Sequence, residues 1–169
     1  MKRTLGVLIF FGALAVPSWG GVMDSPLPEL VPGSSTQHVY TVPGVVKNNN
    51  LETVFICTNL ERTKTVRVAV EVFPIGGGPP LNDVSTGVGD GAEDVPVGAT
   101  VTIATGSTAG LHETEVIGSL GPASVKNGSA RILSTSKRIA CEAFAVDQLG
   151  DPPVVMVPLK MISRRQKGD

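Results

Sequence analysis

Cys57 and Cys141 are the only two cysteines among the 169 residues, and each lies in an apolar, strand-like run. Two thiols so placed oxidise to a single disulfide when the compartment permits it. Pairing them would close a loop of roughly 80 residues, which in the chain-entropy model stabilises a fold by about 4 kcal/mol. Two separate buried thiols are the plain alternative, because free cysteine behaves as a small hydrophobe. A nucleophilic thiolate is the third, and needs a neighbouring base and an electropositive, accessible setting. The disulfide is the favoured reading.

Two other groups of residues have chemistry to offer. Asp83, Asp90, Glu93 and Asp94 fall within a dozen glycine-rich residues. Hard cations such as Ca²⁺ take several oxygen ligands from flexible backbone of this kind, although the ligand order of an EF-hand is missing. These four are candidate Ca²⁺ ligands set against a solvated loop, which is the preferred reading. His112-Glu113-Thr114-Glu115 brings an imidazole and two carboxylates together without the second histidine of a zinc helix motif. The other histidine is His38, so any Ser-His-Asp triad would have to use one of these two. No Gly-x-Ser-x-Gly elbow, Ser-x-x-Lys motif or phosphate-cradling glycine loop is present. We therefore expect no catalytic residue, no cofactor and no metal. Asn127-Gly128-Ser129 matches a glycosylation acceptor, but Asn-Gly is more strongly a hairpin-turn signal.

The compartment is addressed by residues 1–20. Lys2 and Arg3 precede an apolar run from Leu5 to Val16, and Pro17 ends it before Ser18-Trp19-Gly20. This is the pattern of a secretory signal peptide, with cleavage expected after Gly20 or alternatively after Ser18. A membrane-spanning helix needs about 20 apolar residues, more than this run supplies. No later stretch is long enough to span a bilayer either. We expect a secreted or periplasmic protein in which Cys57 and Cys141 can oxidise.

Removal of Lys2 and Arg3 leaves 12 basic residues against 15 acidic, a net charge of −3. That is the wrong sign for the phosphate contacts that dominate nucleic-acid affinity, so nucleic acid is excluded as a partner. Trp19, Phe10 and Phe11 leave with the signal, and the remaining aromatics are Tyr40, Phe55, Phe73 and Phe144. Few are left over for stacking on sugars or bases.

The elements that must position these residues read as short strands. After a Pro- and Gly-rich leader at 21–36 comes one domain at 37–162, then a basic tail at 163–169. Thr53–Thr58 is apolar on both sides. In 65–73, Val66, Val68, Val70 and Val72 share one face while Arg67, Ala69 and Glu71 share the other, which predicts a half-buried strand. Leu60–Lys64 is expected to join these two strands as a hairpin. Residues 82–98 read as a loop, and 100–105 as a strand with Val101 and Ile103 inward. Thr114–Ile117 and Ser129–Ser134 are further strands, the second opened by an Asn127-Gly128 turn. Ser134–Lys137 is expected to turn it back on Arg138–Val146. A last strand spans Val154–Ile162, with Pro158 marking an edge or bulge.

Short strands punctuated by Gly and Pro, without a long helix, specify an all-β antiparallel β-sandwich. An immunoglobulin-like Greek key is favoured over a jelly roll. The block Val54-Phe55-Ile56-Cys57-Thr58-Asn59, followed by Val66–Phe73, resembles small exported bacterial β-sandwich proteins to which no activity is assigned. The resemblance brings no functional residues with it. The expected function is that of a non-enzymatic exported module, structural, adhesive or protein-binding. Its partner would be another extracytoplasmic protein or a cell-surface component. A secreted hydrolase or metal-dependent enzyme centred on His112 is the alternative.

Overall fold

The structure, a computed structural model, describes residues 20–48, 50–85, 90–107, 111–120, 125–148, 150 and 152–164. All but the last residue of the signal peptide expected at 1–20, and most of the basic tail, 165–169, lie outside the described residues. Within them the chain forms ten strands and one short 3₁₀ turn. They are β1 (Gln37–Lys47), β2 (Leu51–Asn59), β3 (Val66–Phe73), β4 (Ala92–Val95) and β5 (Thr100–Ala104), followed by β6 (Glu115–Val116), β7 (Val125–Ser134), β8 (Ile139–Asp147), β9 (Met156–Pro158) and β10 (Ile162–Ser163). Every pairing is antiparallel except the short β5–β6 contact. No helix of the described residues is long and apolar enough to cross a membrane.

Hydrogen bonding runs in the order β4-β3-β7-β1 and β6-β5-β2-β8-β9, with β10 beside β1. A single residue pair, Lys47 with Glu52, joins β1 to β2. The array folds there into two layers, because valines of β3, Val42 and Val45 of β1, and Phe55, Cys57, Val101 and Ile103 of the other layer share one core. The result is an open, all-β, antiparallel sandwich. Its β1–β7–β3 and β2–β8–β9 neighbours follow the B–E–D and C–F–G orders of immunoglobulin-like sandwiches. The disulfide is placed differently from theirs. Cys57 and Cys141 are directly opposed on neighbouring strands of one layer, with Cα atoms 4.2 Å apart and a bonded Sγ pair.

Both expected hairpins are overturned. β2 pairs with β5 and β8, and β3 with β4 and β7, so 60–65 crosses between layers. Residues 135–138 cross likewise. Polar side chains close these crossings: Asn59 Nδ2 donates to the carbonyls of Lys64 and Val95, and Ser136 Oγ donates to Glu61 of the other connection. Links of six and four residues are short enough for a hairpin or a crossing, and the caps distinguish the two. The Asn127-Gly128 turn is also corrected. β7 continues through it with an irregular register against β1, and a Cβ on Gly128 would stand 2.5 Å from the Phe73 carbonyl oxygen. Glycine is there for close backbone approach. The 82–98 loop contains β4, and the last expected strand is divided between β9 and β10 in different layers.

The half-buried strand is corrected as well, because β3 is covered on both faces. The 20–36 leader lies over its outer face, and Leu30 packs with Ala69, Val84, Ala92 and Leu133. Beneath the leader, Arg131 is 1% exposed. Its Nε donates to Glu71, its cross-strand neighbour, and its Nη1 and Nη2 donate to the carbonyls of Ser25 and Pro26, each at 2.7 Å. Its guanidinium carbon stands 5.3 Å from the Phe73 ring centroid. Breaking such a pair strands a buried charge, which costs about 3–5 kcal/mol. Arg131→Ala should therefore lower the chemical denaturation midpoint strongly and expose the leader to limited proteolysis. Arg131→Met with Glu71→Leu should recover much of the stability while the leader stays loosened. A midpoint unchanged by Arg131→Ala would refute this role.

Candidate functional site

The acidic candidates are divided by the fold. Asp90 sits at φ 49°, its carboxylate accepting from the Ser119 N–H at 2.9 Å and the Asp83 N–H at 3.3 Å. Asp83 in turn accepts from the Ser85 N–H and hydroxyl, which hold its carboxyl below the usual range. Glu93 and Asp94 are instead successive residues of β4, on opposite faces. Asp94 is gripped by Arg67 through two bonds of 2.7 and 2.8 Å, and its pKa is lowered by that contact. Among the described residues no three His, Cys, Asp or Glu side chains converge. His112 is exposed, at φ 49°, on the approach to β6.

His38, one of the two histidines open to a triad, is the buried one. Its Nδ1 stands 3.1 Å from Arg164 Nη1 and its Nε2 2.9 Å from Thr41 Oγ1. Arginine only donates, so Nδ1 accepts and Nε2–H donates to the hydroxyl, the arrangement of a neutral imidazole. Burial, then Arg164 and Arg131, lower its pKa to about 4. Beside it lies a cleft of about 560 Å³ lined by Gln37, Tyr40, Lys137, Ser163 and Arg164 among others. A second cleft, of about 380 Å³, is apolar and lies between Ile75, Leu81, Leu120 and Val125.

Glu52 is the carboxyl that sequence reasoning missed. It follows the β1–β2 turn, is fully buried, and accepts through Oε2 from Gln148 Nε2 at 3.1 Å. Oε1 has no partner among the described residues. Burial raises its pKa to about 7, with Glu113 pushing the same way and Gln148, Gly106 and Lys47 opposing. A run of apolar residues around a lone Glu in Leu51–Ile56 was the available signal.

The remaining distinctive surface is the end of the second layer. Val154, Val155, Met156 and Val157 are all exposed, Val154 by 82% and Val157 by 51%. Compared with known proteins, the chain matches no family model, no curated relative and no solved structure.

Glu52 and His38 give opposite pH dependences. Glu52, raised from 4.5 to about 7, adds stability below pH 4.5 that is lost as pH rises to about 7. His38, lowered from 6.5 to about 4, adds stability above pH 6.5 that is lost as pH falls to about 4. Each limb is worth up to about 3 kcal/mol, since one pKa unit is about 1.4 kcal/mol. Glu52→Gln should stabilise the protein at pH 8 relative to wild type and leave a profile that rises from pH 4 to 6.5. Urea denaturation across that range would show it, and a variant profile parallel to wild type would contradict the assignment.

Proposed function

We propose that this chain is an exported, non-enzymatic β-sandwich module that binds another extracytoplasmic protein along the open edge of β9. The exposed apolar run from Val154 to Val157 on that edge carries the reading. Support for the compartment comes from the Cys57–Cys141 disulfide and from the signal-like residues 1–20. The partner it fits is an extended, apolar peptide segment. Val154–Pro158 carries no charge, and β9 pairs with β8 on one side only.

The register says which backbone groups are free. The Asp147 N–H donates to Val155 and the Leu159 N–H to Ala143, so the backbone of Val155, Val157 and Leu159 faces β8. By alternation the backbone of Met156 and Pro158 faces outward. Met156 offers a donor and an acceptor there, and Pro158 an acceptor alone. Strand addition uses such groups for affinity and side-chain contacts for specificity.

A photo-crosslinker at Val157, used on the exported protein in its own compartment, should give a discrete protein adduct. Met156→Pro removes the outward N–H without touching the bonds to β8. It should weaken formation of that adduct about two- to tenfold, the worth of one net hydrogen bond, whereas Glu142→Gln on the neighbouring strand should not. Equal adduct yield from Met156→Pro and wild type would overturn edge binding.

A further inference from the structure

We propose that the cleft beside His38 binds a small organic anion, with Arg164 as its principal contact. The cleft of about 560 Å³ is formed where the leader, the start of β1, the β7–β8 connection and β10 meet. That volume falls within the range of small-molecule sites, about 300–1,000 Å³. Its lining residues include two bases, Lys137 and Arg164, with Gln37 and Ser163, and no Asp or Glu. The whole chain carries a net negative charge, so this concentration of positive charge is local.

Among the described residues, Arg164 is held in place by groups that do not neutralise it. Its backbone N–H donates to the Val39 carbonyl at 3.0 Å, which continues the β10–β1 pairing. Its Nη1 stands 3.1 Å from His38 Nδ1. His38 is buried and is itself fixed through Nε2 to Thr41, so a neutral acceptor orients the guanidinium. A carboxylate in that position would cancel its charge. Among the described residues one of its five side-chain N–H donors is used, and no acid lies within ion-pair distance of Arg164. The planar fork that remains matches the oxygens of a phosphoryl or carboxylate group.

Calorimetric titration of the full exported chain with inorganic phosphate and with citrate, against sodium chloride at equal ionic strength, tests this. At least one should bind saturably, phosphate alone pointing to a phosphoryl ligand and citrate alone to a carboxylate ligand. Arg164→Gln should weaken that binding at least tenfold, while Lys126→Gln, which removes an equal charge outside the cleft, should leave it within twofold. Arg164 is exposed, and an unchanged circular dichroism spectrum and melting temperature would certify the variant's fold. No saturable heat with either probe would overturn the proposal, as would equal loss in the two variants. Neither outcome bears on the β9 edge, which lies in the other layer.

Discussion

A guanidinium with no route to water organises the outer face of the first layer. Arg131 is buried because the leader covers it, and the leader is held because Arg131 donates to the carbonyls of Ser25 and Pro26. Removing either side exposes the other to a cost, since a charge left alone in a low dielectric is far more expensive than a neutral group. Glu71 balances the charge, Phe73 lies under the guanidinium, and Leu30 fills the adjoining apolar ground with Ala69 and Leu133. The coverage of β3 on both faces follows from this mutual dependence. So does the start of β1, where the leader forms one wall of the His38 cleft.

The disulfide acts in the other layer and by another means. Cys57 and Cys141 already face one another in the β2–β8 ladder, so the covalent bond adds no new neighbour to the native state. It acts mainly on the unfolded chain, where it closes a separation of 84 residues and removes about 4 kcal/mol of loop entropy. The first layer is thus fastened by a buried ion pair, and the second by a cross-link between its two central strands.

Much of the fold was readable from side-chain periodicity. The valines of 66–72, the inward Val101 and Ile103, the strand over Ile139–Val146 and the edge position of Pro158 all stand where alternation and turn chemistry put them. What escaped was long-range. Glu71 follows the polar face of an amphipathic strand, and nothing local says that an arginine 60 residues later will sit across from it. Asn127-Gly128 has the composition of a tight turn, but the approach of Phe73 makes its glycine a spacing residue. The crossings after β2 and β7 have hairpin lengths, and the bonds that commit them to crossing come from Asn59 and Ser136, polar residues with no periodic signal. Of the candidate site residues, the cysteines were legible because oxidation leaves them few choices. Glu52 and His38 were not, because burial and its effect on a proton are properties of the assembled layers.

The sheet edges show why β9 stands apart. β6 and β10 are two residues each, and β4 places the Asp94–Arg67 ion pair at its side. Short and charged edges resist pairing with other chains. β9 is also short, and Pro158 withholds one donor, so uncontrolled sheet extension is curtailed there too. Yet its side chains are apolar and bare, which is costly in water and serves no purpose in the core. Met156 supplies the one complete outward donor–acceptor set, so backbone pairing alone would contribute only about 1–2 kcal/mol. Burying exposed valine and methionine side chains contributes about 1.5–3 kcal/mol each when complete. Strand addition ordinarily draws its affinity from the backbone, but with one complete donor–acceptor set this edge would draw most of it from side chains, with Met156 setting the register.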